Sequence, residues 1–126
     1  MRGLTGTALA AAAGLQGVPA QADEVRLDST VFRETVSREN GERVRRIEQA
    51  DSFRRGDRVI TILYWEAARE EPFWVSSAVP PSLILGEAPD GAQALVQDGR
   101  ITQLRWRVDP IRAGSRGRFS YAATVR

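Results

Sequence analysis

Beyond position 22, apolar residues recur at every second place in short runs, each closed by a turn dipeptide, with no sustained helical period. Successive side chains of a strand point to opposite faces, so this spacing commits the chain to β-structure with one face buried. Leu104, Trp106 and Val108 share one face, while Gln103, Arg105 and Arg107 share the other. Phe119, Tyr121, Ala123 and Val125 alternate in the same way with Arg118, Ser120, Ala122 and Thr124. Val59 to Trp65 is β-branched or aromatic apart from Leu63 and apolar on both faces, as a central strand should be, and Arg55-Gly56-Asp57 is the turn that starts it. Phe73 to Val79 is bounded by Pro72 and Pro80-Pro81, and Leu83-Ile84-Leu85 is a short piece ended by Gly86. Asp98-Gly99 predicts a hairpin between Ala92–Val96 and Ile101–Val108, and Asn40-Gly41 predicts another between Val31–Arg38 and Arg43–Glu48. Asp109-Pro110 and Ala113-Gly114 connect the last two runs. About seven short strands, with turns roughly every 8–12 residues, predict an all-β, immunoglobulin-like antiparallel two-sheet β-sandwich.

The length of 126 residues suits one such domain, and composition narrows its chemistry. All 18 basic residues are arginine, against 16 acidic ones, and Lys, His and Cys are absent. Without His or Cys there is no Ser-His-Asp or Cys-His machinery, no zinc site of the usual ligands and no disulfide. Without Lys there is no P-loop lysine and no Schiff base. The expectation is a non-enzymatic protein with no cofactor and no metal. The pI near 9.9 reflects how far above neutrality guanidinium titrates, because the net charge is only +2. No nucleic-acid partner is expected.

Arg2 precedes an uncharged stretch from Gly3 to Ala22, apolar at its Leu4–Leu15 centre, broken by Pro19 and ending in Ala20-Gln21-Ala22. A charged start, a short apolar stretch and an A-x-A site are the three parts of a secretory signal. The chain therefore reads as a signal peptide over 1–22 and a sandwich domain over 23–126. Thr5, Thr7, Gln16 and Gln21 interrupt the apolar run, which speaks against a membrane anchor. The expected product is periplasmic or secreted, and touches the membrane only transiently through its leader. Loss of Arg2 with that leader leaves 17 basic and 16 acidic residues, a net charge of +1.

Gly56-Asp57 opening the apolar strand Val59–Trp65 begins a series of stations that continues to the end of the chain. Val75–Ser77 follows, then Pro80-Pro81 with Leu83, Leu104-Arg105-Trp106-Arg107-Val108, Ala113-Gly114 and Phe119–Val125. In this order the chain from Gly56 to Arg126 resembles the bacterial immunoglobulin-like repeat of cell-surface and envelope proteins, a conserved repeat domain of unknown function. It departs in carrying Glu66-Ala67-Ala68-Arg69-Glu70-Glu71 where the family has Asn-Thr-Gly, and Ala78-Val79 where an Asp often precedes the Pro turn. The resemblance implies a single-copy, exported relative in the cell envelope and carries over no catalytic residues. Lys–Asn cross-links known from such repeats are impossible here, since Lys is absent.

Two groups of residues are candidates for partner binding. One residue of each adjacent pair, Tyr64/Trp65 and Phe73/Trp74, must face outward. An outward Trp65 or Trp74 is suited to stacking on a sugar ring or a partner, and an inward one to core packing. Trp106, between Leu104 and Val108, belongs to the core. Arg105 and Arg107 share a face, and the neighbouring final strand is expected to place Arg116 and Arg118 beside them. Such a stripe suits phosphates of lipopolysaccharide or an acidic partner, or forms a solvated face paired with Glu and Asp. The expected partner is an envelope protein or a polysaccharide. Two other functions compete with this one. An assembly-chaperone or pilus-like subunit would pair through an edge strand. A ligand carrier or hydrolase would use Glu66, Glu70 and Glu71 in the loop after the central strand, which requires a cleft where two carboxylates converge. Asp90-Gly91 and Asp98-Gly99 lack calcium-loop spacing and read as turns.

Overall fold

Asn40 and Gly41 adopt φ values of 53° and 80°, and Asp98 and Gly99 adopt 53° and 75°. A two-residue type I′ turn needs positive φ at both central residues, so both Asx-Gly dipeptides close hairpins as their sequence predicts. The computed structural model describes residues 25–126 and the backbone of two short strands, β1 (Thr7–Ala11) and β2 (Gln21–Ala22). Apart from these two segments, the leader expected over 1–22 and its cleavage point lie outside the described residues. The remaining strands are β3 (Val25–Glu39), β4 (Glu42–Gln49), β5 (Arg58–Ala67), β6 (Phe73–Ala78), β7 (Leu83–Ile84), β8 (Gln93–Gln97), β9 (Arg100–Val108) and β10 (Arg116–Val125).

They form a two-sheet β-sandwich. The larger sheet runs β3-β5-β10-β7 with β4 and β2 pairing to β3, and the smaller runs β6-β9-β8 with β1 alongside β6. All pairings are antiparallel except β1 with β6. Among residues 25–126 the layers hold five strands and three, one more than the four and three of a constant-type immunoglobulin domain, because β4 is added beside β3. Here, however, the last strand of the chain, β10, is an interior strand of the larger sheet.

Odd-numbered residues of β3, β5 and β10 face the other sheet. Leu27, Val59, Leu63, Val75, Leu83 and Leu104 are almost completely buried, each contributing about 1.5–3 kcal/mol of transfer free energy. Trp106 is 2% exposed, as its alternation requires, and its ring stacks on Phe119 at 4.9 Å between centroids. The Tyr121 hydroxyl lies 3.4 Å from Ser77 Oγ across the two layers. Arg100 donates to the carbonyls of Pro81 and Leu83 at 3.3 and 3.2 Å, tying β9 to the Pro turn that leads into β7.

β3 begins six residues earlier than the sequence analysis placed it. Val25 and Leu27 join the core opposite Ala67 and Trp65, so the N-terminal part of the domain belongs to the sandwich. Beyond Glu34, which pairs with Arg58, Thr35 to Glu39 pair only with β4 and leave the body as a two-stranded ribbon. Charged clusters hold its root on both faces. Glu34 accepts from Arg45 and from Arg58 Nε, the latter at 2.6 Å. Arg33 reaches Asp57 at 3.3 Å, Glu48 at 3.4 Å and the Ser52 carbonyl, with its guanidinium 5.5 Å from the Phe53 ring centroid. The loop 50–57 is thereby fastened to the ribbon.

Candidate binding face

Even-numbered residues of β3, β5 and β10 point away from the core, and strand register lines them up in rows. The rows are Arg26–Glu66–Arg116, Asp28–Tyr64–Arg118, Thr30–Ile62–Ser120, Phe32–Ile60–Ala122 and Glu34–Arg58–Thr124. The outer face of the larger sheet is therefore charged at both ends and uncharged between, with Ile60, Ile62, Phe32 and Ala122 beside the hydroxyls of Thr30 and Ser120. At a rise of about 3.3 Å per residue, the eight steps from Arg26 to Glu34 span roughly 26 Å.

The first two rows, with Trp65 and Gly117, line an open groove of about 480 Å³. Tyr64 lies in its floor, 39% exposed. Arg26, Arg116 and Arg118 are exposed, and among the described residues their side chains form no ion pair or hydrogen bond. Asp28 and Glu66 leave the groove with a formal excess of one positive charge. Trp65 forms one wall. It points inward, meets Phe73 edge-on at 5.6 Å and 74°, and lies over Gly117, where only a residue without a side chain fits. Its Nε1 is buried without a hydrogen-bond partner.

The outer face of the smaller sheet carries a second cluster. Trp74 is opposite Arg107, and the Arg105 and Arg107 guanidinium carbons stand 4.3 and 5.7 Å from its ring centroid. Such cation–π contacts are worth about 0.5–1 kcal/mol at exposed sites. Arg105 Nε also donates to Gln93 Oε1 at 3.2 Å, and Arg107 pairs with Asp109 at 3.4 Å. These two arginines are engaged within the protein, in contrast to the three in the groove.

The expected stripe of Arg105, Arg107, Arg116 and Arg118 does not form. β9 and β10 lie in different sheets, because the segment between them crosses the sandwich and is fastened to the end of β5. Gly114 N donates to Ala67 O at 2.7 Å, and Ala67 N donates to Ser115 O at 2.8 Å. Trp65, Arg116 and Arg118 lie at the groove, and Trp74, Arg105 and Arg107 on the smaller sheet, while Arg107 also meets Trp65 and Arg116 at an open depression of about 930 Å³ along the 108–115 crossing. Of each aromatic pair, Tyr64 and Trp74 face out, while Trp65 and Phe73 face in. The three loop carboxylates also separate. Glu66 sits between Arg26 and Arg116 in the groove, whereas Glu70 and Glu71 are exposed in the following loop.

Arg26, Asp28 and Tyr64 were missing from the sequence-derived candidates. Val25, Leu27 and Val31 alternate with Arg26, Asp28 and Thr30, a period-two signal that extends β3 backwards once Ser29 is accepted at an inward position. Among the described residues, no three Asp or Glu side chains gather as a metal site would need. Comparison with protein-family models, curated proteins and solved structures finds no match for this chain.

Proposed function

We propose that this chain is an exported, non-enzymatic, immunoglobulin-like module of the bacterial envelope that binds an acidic polysaccharide on the outer face of its larger sheet. Three unengaged guanidinium groups around the exposed Tyr64 ring carry the reading. A guanidinium holds a carboxylate or phosphate through two parallel N–H donors, and a flat phenol ring offers a platform to a sugar. The outer face continues beyond the groove for three further rows of residues, which suits an extended polymer better than a compact substrate. The resemblance of residues 56–126 to an envelope repeat, and the leader-like residues 1–22, support the location.

The test is calorimetric titration with polygalacturonate, against neutral dextran of equal length. The expected result is binding of the acidic polymer alone, weakened by salt and reduced at least about tenfold in Arg116→Ala/Arg118→Ala. Equal binding of dextran, or an unaffected double variant, overturns the ligand assignment. Recovery of the uncleaved chain from cytosol overturns the location.

A further inference from the structure

An edge strand presents unpaired N–H and C=O groups to any strand that approaches, and natural sheets blunt their edges to prevent this. Most edges described here are blunted. β4 carries Arg43, Arg45 and Arg46 with Glu42 and Glu48, β7 is two residues long, and β6 is covered by β1 only while residues 7–11, within the expected leader, are attached. Among the described residues, β8 has no such device in the leader or in the domain. Gln93-Ala94-Leu95-Val96-Gln97 pairs with β9 alone and has neither charge nor proline, and all five residues are exposed. Leu95 is 49% and Val96 57% exposed. The irregularity in this hairpin leaves β8 regular, because the extra residue, Thr102, is on β9 between the partners of Leu95 and Val96. Thr102 Oγ1 donates to Leu95 O at 3.3 Å, so that carbonyl faces β9. Alternation then turns the backbone groups of Ala94 and Val96 outward.

The strand also has a symmetry. It reads Gln, apolar, apolar, apolar, Gln from either end. Antiparallel pairing with its own copy about Leu95 sets Gln93 against Gln97, Ala94 against Val96 and Leu95 against Leu95. No charge is buried and no like charges meet. We propose that β8 is a homotypic docking edge, pairing antiparallel with β8 of a second copy about a twofold axis at Leu95. The two smaller sheets then join into one continuous sheet, β9 and β8 of one copy running into β8 and β9 of the other. The interface is isologous, so it closes at the dimer. A five-residue strand contributes less than the roughly 1,200–2,000 Å² of a stable interface, so the dimer is weak and concentration-dependent.

Sedimentation velocity over a concentration series reaching the millimolar range tests this on the intact protein. The wild type is expected to pass reversibly from monomer to dimer. Ala94→Lys/Val96→Lys sets Lys against Lys and should raise the dissociation constant at least about tenfold, whereas Ala94→Lys/Val96→Glu sets Lys against Glu and should retain the dimer. Both variants place two charges on the same exposed positions, so amide spectra should report an intact β8–β9 hairpin in each. A wild type that stays monomeric, or a pair of variants that dimerise equally or fail equally, overturns the proposal.

Discussion

Gly117 faces Trp65 across the β5–β10 pair. A methyl group there would stand 2.6 Å from Cζ2, 2.8 Å from Cε2 and 3.0 Å from Nε1 of the indole, closer than non-bonded carbons pack. The ring has little room to retreat, because it meets Phe73 edge-on at 5.6 Å. Gly117→Ala therefore overpacks this end of the sandwich, at about 1–3 kcal/mol. Replacing glycine inside a strand gains about 0.5–1 kcal/mol of chain entropy in the other direction. Gly117 has no positive φ, so backbone strain adds nothing. The net expectation is a loss of about 0.5–2 kcal/mol, which lowers the thermal midpoint by several degrees at about 4–8 °C per kcal/mol. Trp65→Leu removes the atoms that the methyl group would strike. In that background the same Gly117→Ala change should stabilise by about 0.5 kcal/mol, because only the entropy gain remains. Urea denaturation of the four proteins, followed by circular dichroism, gives both differences. If Gly117→Ala has the same sign with and without the indole, the packing argument is wrong.

Two further substitutions address other parts of the fold. Arg33→Ala should cost about 1–2 kcal/mol, since it frees Asp57, Glu48 and the Ser52 carbonyl together, and Arg33→Lys should restore less than half because a lysine cannot fork. Denaturation midpoints check this, and an unchanged midpoint in Arg33→Ala would mean the loop 50–57 is held by something else. Burial raises the Tyr121 phenol above its ordinary pKa of 10.0, with the Ser77 hydroxyl pulling part of the way back. The folded state then holds this proton more tightly than the unfolded one, so the contribution is complete below about pH 10 and is lost as pH rises through the folded value. Stability should fall more steeply above pH 10 in the wild type than in Tyr121→Phe, and parallel pH profiles would refute this role for Tyr121.

The hairpin turns were legible because their chemistry is local: Asn40-Gly41 and Asp98-Gly99 need only their own positive φ angles. The inward positions of Trp106 and Tyr121 were legible for a similar reason, since alternation along a single strand requires no partner to be known. The start of β3 was not. Ser29 and Thr30 interrupt the apolar count, and what draws Val25 and Leu27 into the core is pairing with Ala67 and Trp65, about forty residues further along the chain. The groove was lost with it, because Arg26 and Asp28 come from that stretch.

The sequence by itself determined most of the strands, the start of β3 excepted, where they turn, and the apolar face of the strands that alternate, β9 and β10. These follow from backbone sterics and period-two side-chain geometry, which act over a few residues. Only the tertiary structure decided which strands are neighbours, and hence which arginines share a surface. Leu104 and Trp106 on β9 and Phe119 and Tyr121 on β10 cover one another only if their strands lie in opposite layers. Side by side in one sheet, the two apolar faces would still need a cover. Burying both at once sends β10 across the sandwich and takes Arg116 and Arg118 to the groove, so that Arg118 is parted from Arg105 and only Arg116 keeps a shared border with Arg107.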